Sequence, residues 1–158
     1  MEPVEDLIAR LGLKPHPEGG WYREIHRASA SVQALQGERS ALTTIYYLLA
    51  GTQKSRWHVV DSDEVWHFYC GAPLELLTYE PGARTLRRQV LAPPTMSHEP
   101  VGIVAAGVWQ AARSLGEYSL VGCSVGPGFD FADFRFVAAL EDHQPHFAAS
   151  LAPYAELL

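Results

Sequence analysis

Asparagine is absent from this 158-residue chain, so it offers no N-glycosylation acceptor. Cysteine is scarce. Cys70 and Cys123 are the only two, too few for a disulfide framework. Both sit in apolar, strand-like runs and are expected as buried thiols in a reducing compartment. Long apolar runs are missing as well: none approaches the roughly 18 residues that a transmembrane helix needs. The opening Met1-Glu2-Pro3-Val4-Glu5-Asp6 is acidic where a secretory signal is basic. A cytoplasmic protein with no membrane partner is the expectation. Basic charge is in deficit, with 12 Lys and Arg against 18 Asp and Glu for a net charge of −6. That balance argues against nonspecific binding to nucleic acid or anionic lipid. The densest basic stretch, Arg84, Arg87 and Arg88, reads as the solvated face of a strand. There is no internal repeat and no low-complexity linker.

What is present fits one globular domain over residues 1–158. The chain is 47% hydrophobic and 19% charged, enough to bury a core without disulfides or a structural metal. The opening segment reads as a short helix. Pro3 suits the first turn, Glu5 and Asp6 favour the positive end of the dipole, Leu7, Ile8 and Leu11 form a stripe, and Gly12 offers a stop. The turn-rich Pro15-His16-Pro17-Glu18-Gly19-Gly20 comes next.

From Trp21 the period changes to two. Expected strands are Trp21–Arg27, Ala41–Leu49, Arg56–Val60, Glu64–Tyr69, Leu74–Tyr79, Thr85–Leu91, Gly102–Ala105, Val108–Arg113, Tyr118–Val125 and Phe134–Ala138. Short strands between Gly, Pro, Asp and Ser clusters, with no regular helical crossover, predict an all-β antiparallel sandwich or barrel. Helical character returns around His146–Leu151, broken by Pro153.

The chemistry concentrates in the stretch from Gly51 to Gly71. With Arg56–Val60 and Glu64–Tyr69 read as a hairpin joined through Asp61-Ser62-Asp63, alternation puts Arg56, His58 and Val60 on one face. It puts Glu64, Trp66 and Phe68 on one face of the second strand, with His67 opposite. His58 and Glu64 then converge as a candidate catalytic pair, the imidazole as base and the carboxylate orienting it. A buried hydrogen-bonded pair tying two strands is the alternative. Arg56 is a candidate anchor for an anionic group. Arg23 and Glu24, after the Gly19-Gly20 pair, read as anion recognition or a surface ion pair. Tyr46, Trp66 and Phe68 read as core, with an aromatic wall for a ligand ring as the second option. Gly126-Pro127-Gly128-Phe129-Asp130-Phe131 is a turn in which Asp130 caps the segment after it. His16, His26, His98, His143 and His146 show no zinc-type spacing.

The same stretch resembles the first motif of the cupin superfamily: a glycine, His-x-His, a glutamate and a closing glycine. His58, Glu64 and Gly71 match it, and Val60 stands at the second histidine. The second motif, Pro-x-Gly-x-x-His, is similar to Ala105-Ala106-Gly107-Val108-Trp109-Gln110, with Gln110 at the histidine. Longer segments look like the branch of cupins labelled predicted sugar epimerases. They are Leu13–Glu24, Thr44–Leu48, Trp57-His58, Asp63–Tyr69 and Val125–Phe131.

The resemblance implies a dimeric double-stranded β-helix, a jelly-roll barrel with short terminal helices, holding a small polar ligand of the carbohydrate or nucleotide-sugar type. Gln110 then either faces the ligand or satisfies Glu64. A cofactor is not expected. A divalent transition metal, if any, would fall to His58, Glu64 and Gln110, two of which remain from the four customary ligands. The leading function is a metal-free acid/base epimerase or isomerase. A metal-dependent cupin enzyme and a non-catalytic small-molecule receptor are the other two readings.

Overall fold

In the computed structural model, residues 2–136 and 149–158 are described. Helix α1 (Val4–Leu11) ends at Gly12, whose left-handed φ of 62° closes the last turn. Its Leu7, Ile8 and Leu11 stripe packs on Leu13, Leu48, Tyr118 and Leu120. Among the described residues thirteen strands come after it: β1 (Lys14–Pro15), β2 (Trp21–Arg27), β3 (Ser31–Ala34), β4 (Gly37–Ser40), β5 (Thr43–Ala50), β6 (Lys54–Val60), β7 (Asp63–Gly71), β8 (Leu74–Glu80), β9 (Thr85–Leu91), β10 (Val101–Val104), β11 (Trp109–Ser114), β12 (Tyr118–Gly126) and β13 (Phe134–Phe136). The expected strands are all present where the chain is described. Val137 and Ala138 lie outside the described residues, as does the His146 end of the expected C-terminal helix. The pair β3–β4 was not expected, because Ser31–Ser40 carries almost no apolar alternation to betray it.

The strands form a six-stranded sheet in the order β1-β2-β5-β12-β7-β10 and a five-stranded sheet in the order β13-β6-β11-β8-β9, with β3–β4 as a separate hairpin. The sheets face each other as a jelly roll around Tyr47, Leu49, Trp66, Leu74, Leu76, Val104 and Val121. The outer face of the five-stranded sheet is not left wet. Trp57, Val59, Leu77 and Tyr79 are covered there by Leu151 and Leu157 of the C-terminal segment.

Two sequence expectations are corrected. β6 and β7 are not a hairpin: β6 pairs with β11 and β13, β7 with β10 and β12. The Asp61-Ser62 link instead carries the chain from one sheet to the other, so His58 and Glu64 face each other across the barrel interior. Cys70 is exposed, whereas Cys123 is buried as expected. The reason is a bulge. Leu120 and Val121 are consecutive, yet they oppose Cys70 and Phe68, leaving Tyr69 as an extra residue that inverts the alternation beyond it.

Candidate active site

A cavity of about 350 Å³ opens between the two sheets. Register explains its wall. On the six-stranded sheet, Glu24 opposes Ile45, Ile45 opposes Cys123, and Glu64 opposes Val125, so these side chains share the inner face. A second bulge, between Glu24 and His26, shifts the phase and brings Arg27 inward beside Glu24 in place of His26. The five-stranded sheet supplies His58, Val60 and Phe134, and the turn after β12 adds Phe129, Asp130 and Phe131. As expected, Asp130 caps this turn, its Oδ1 accepting from Ala132 N–H at 2.8 Å.

A third bulge places Ser55 and His58 together. Gln110 opposes His58 and Ala112 opposes Ser55, so the single residue Ala111 faces both Arg56 and Trp57. Ser55 and His58 are therefore both buried, and Arg56 is turned outward.

The partner of His58 comes from the turn before β2. Glu18 is 6% exposed; its Oε2 lies 3.2 Å from His58 Nε2, and its Oε1 accepts from Ser55 Oγ at 3.0 Å. Gly19 and Gly20 make this possible. A side chain on Gly19 (φ 114°) would meet the Lys54 carbonyl at 2.0 Å, and Gly20 (φ 75°) lies similarly tight on Leu48. Only glycines let the turn press against β5 and β6 and drive Glu18 inward. Arg56 holds the turn from outside, donating to the Pro17 carbonyl at 3.0 Å, while its backbone N–H donates to the Glu18 carbonyl at 3.2 Å. His16 Nδ1 accepts from the Glu18 backbone N–H at 3.1 Å.

Burial sets the protonation. It raises Glu18, against the opposing pull of His16, Tyr47 and Ser55. It raises Glu64 to about 7, with the Glu18 charge pushing the same way and His58 and Gln110 opposing. His58 is lowered by burial, opposed by Glu64 and by the Arg56 carbonyl. That carbonyl is 2.7 Å from Nδ1 and can only accept, so Nδ1 carries hydrogen and Nε2 is the basic nitrogen facing Glu18. The Cys123 thiol is buried and pushed well up, so it is a neutral wall group rather than a nucleophile.

Of the residues singled out from sequence, His58 and Glu64 share the cavity. Gln110, fully buried, donates from Nε2 to Glu64 Oε2 at 2.6 Å and accepts the Trp66 indole N–H at 2.9 Å. It satisfies Glu64, and Trp66 is core. Phe68 also packs against the core rather than in the cavity wall. Arg23 and Tyr46 are off the lining too; they are register partners, with the guanidinium 5.6 Å from the ring centre. Arg56 rests on Phe136 at 4.6 Å, outside the cavity. Sequence reasoning missed Glu18, His16 and the aromatic rim. The signal for Glu18 was a carboxylate directly before two glycines.

The donor set does not fit a transition metal. Val60 has no donor atom, and both ends of the Gln110 amide are engaged. Of the four positions the cupin motifs offer a metal, that leaves His58 and Glu64, fewer than the three or more protein ligands such a site needs. Among the described residues no three His, Cys, Asp or Glu side chains gather to hold an ion. No helix among them is long and apolar enough to cross a membrane.

Comparison with known proteins agrees with this architecture. No curated protein matches the chain. A hypothetical protein from Leishmania major is 30% identical, with a TM-score of 0.82 over 99% of this chain and 96% of that one. A Shewanella oneidensis protein is 28% identical, with a TM-score of 0.83 over 99% and 95%. Oxalate decarboxylase from Bacillus subtilis shares the fold alone, at 13% identity and a TM-score of 0.59 over 90% of this chain and 35% of that one. The family described as Cupin superfamily (DUF985) matches residues 5–137, and this chain belongs to it.

Proposed function

We propose that the cavity binds a small polar molecule of the carbohydrate class and moves a proton on it by metal-free acid/base chemistry, as an isomerase or epimerase does. The observation that carries this reading is the Glu18–His58 contact at 3.2 Å, with a second buried carboxyl, Glu64, in the same cavity. The Glu18–His58 pair holds one proton or two and so can take one from a carbon next to a carbonyl. The C–H electrons move into the enolate. Glu64, poised near neutrality, supplies a proton to that carbon, and the spent groups re-equilibrate with solvent through the mouth. Reprotonation by Glu64 gives the inverted carbon, and reprotonation by the first pair returns the starting one. Such positioned groups contribute about 100- to 10,000-fold each.

The test is incubation of aldoses and ketoses with the protein in deuterated water, followed by NMR. Solvent-derived label at a carbon beside the carbonyl, lost in His58→Asn, supports the reading. A sugar that binds in calorimetry yet never takes up label contradicts it and makes the cavity a receptor.

A further inference from the structure

Proton transfer beside a carbonyl needs a third element besides a base and an acid. The electron pair released from the C–H bond ends on the carbonyl oxygen, and that developing oxyanion needs a hydrogen-bond donor held in place. Granted the proton-transfer reading above, the Glu18–His58 pair and Glu64 are occupied with the carbon. The oxygen falls to another group.

His16 lines the same cavity and has no part in the chemistry so far. Its side chain is 6% exposed, and its ring sits beside the second oxygen of Glu18. Nδ1 is 3.9 Å from Glu18 Oε1, while His58 Nε2 is 3.2 Å from Oε2. The backbone decides the tautomer of His16. The Glu18 backbone N–H donates to His16 Nδ1 at 3.1 Å. An amide N–H can only donate, so Nδ1 presents its lone pair and the hydrogen of the neutral ring is on Nε2. Protonating Nδ1 would set two N–H groups against each other, so the contact itself opposes the imidazolium. Burial lowers the His16 pKa in the same sense, against the pull of Glu18. Tyr22 and Tyr47 fix the ring, with centroids 4.5 and 5.4 Å away.

The Nε2–H group has no internal use. Among the described residues no hydrogen bond reaches it, and the one sealed side-chain nitrogen or oxygen without a partner is Trp57 Nε1. His16 Nε2 is therefore unpaired yet accessible. Neighbouring donors are committed elsewhere. Ser55 donates to Glu18, the Tyr47 hydroxyl to the Gly19 carbonyl at 2.7 Å, and Arg27 to Glu24 and the Phe129 carbonyl. His58 carries its hydrogen on Nδ1 and offers a basic Nε2. The two imidazoles thus have opposite tautomers, one an acceptor and the other a donor.

We propose that His16 is a catalytic residue of this cavity: its Nε2–H donates to the carbonyl oxygen of the bound sugar and holds the enolate while His58 and Glu18 take the proton from the neighbouring carbon. The Nε2 hydrogen is shared and stays on the ring. The electron pair passes to the oxygen and returns to carbon when Glu64 delivers its proton. A neutral imidazole suits this task, because it polarises the carbonyl without giving up its hydrogen.

Two measurements test this. The first is two-bond ¹H–¹⁵N NMR of the imidazoles in the unaltered protein at neutral pH. The expected spectrum shows both rings neutral, His16 protonated on Nε2 and His58 on Nδ1. A charged His16, or one with hydrogen on Nδ1, overturns the proposal whatever the sugars do. The second uses His16→Asn, which can still accept from the Glu18 N–H through Oδ1 but has no donor at Nε2. With a panel of aldoses and ketoses in deuterated water, kcat for label uptake should fall at least about 100-fold, with KM little changed. The His58 spectrum should stay as it was, showing that the base has not moved. A His58 spectrum that changes along with the rate makes His16 a prop for the turn and overturns the proposal. Undiminished labelling by a folded His16→Asn protein assigns the oxygen to another donor, such as the Tyr22 hydroxyl, and leaves the proton-transfer reading standing. No labelling of any sugar by the unaltered protein sinks both. Should the variant fail to fold, the tautomer spectrum of the unaltered protein decides.

Discussion

His58 on β6 and Glu18 in the turn before β2 meet at 3.2 Å, Nε2 to Oε2, across 40 residues of sequence and from different parts of the barrel. With Nδ1–H committed to the Arg56 carbonyl, the second ring nitrogen has one partner, and that partner is a carboxyl. Alternation along the sequence pairs His58 with Glu64 instead. In the structure Glu64 acts on His58 through space.

Glu18→Gln keeps the size and hydrogen-bonding capacity of the side chain but removes a proton acceptor. Any turnover found should fall by at least about 100-fold, while the melting temperature stays within a few degrees. Retained turnover in a correctly folded Glu18→Gln protein would assign the base to some other group.

Glu64 makes stability depend on pH in a definite direction. Its folded pKa, about 7, lies above the ordinary carboxyl value of 4.5. The folded protein therefore holds a proton that the unfolded chain has released. That contribution is fully present below pH 4.5 and is lost as pH rises to about 7. Glu64→Gln lacks the penalty, so its stability relative to the unaltered protein should improve by about 2–3 kcal/mol between about pH 4.5 and pH 8. Urea unfolding of both proteins at the two pH values measures it; a difference independent of pH contradicts the raised carboxyl.

The fold was legible because its signals are local. Period-two runs separated by Gly and Pro located the long strands, and the cupin-like segments named the barrel. The site was half legible. His58 and Glu64 carried a motif, but simple alternation could not foresee the bulges near Ile25, Trp57 and Tyr69. Each bulge inverts every later side chain on its strand, which is how Arg56 turned outward, Cys70 surfaced and Arg27 entered the wall. Glu18 was hidden for another reason: a carboxylate in a polar turn reads as solvated until Gly19 and Gly20 are seen to pack on neighbouring backbone.

Gln110 supports Glu64 and Trp66 at once. Gln110→Leu leaves a buried indole N–H without its partner and takes the amide donor from the Glu64 carboxyl. The expected cost is about 2–4 kcal/mol by denaturant titration, with the Glu64 carboxyl moving further up because a stabilising donor is gone. An unchanged stability would mean that Gln110 is dispensable to the wall.

Arg39 on β4 clasps Asp133 through two 2.8 Å bonds, with side chains 13% and 7% exposed. This ties the hairpin to the turn that carries Phe131, and it holds Asp133 below the ordinary carboxylate range. Arg39→Ala should lower the melting temperature and weaken ligand binding as the aromatic rim loosens. Because the Asp133 pKa is depressed, the stabilisation is present above the ordinary aspartate value and lost as pH falls through the folded one. A wild-type melting temperature in Arg39→Ala would show the clasp to be idle.

The most direct measurement is the ¹³C-carboxyl NMR titration of Glu64, in the unaltered protein and in Glu18→Gln. If Glu18, His58 and Glu64 share one buried proton-handling cavity, Glu64 titrates near pH 7, and its midpoint falls when the Glu18 charge is removed. A midpoint near 4.5, the ordinary carboxyl value, that ignores the Glu18 substitution would show that the two carboxyls do not share a site.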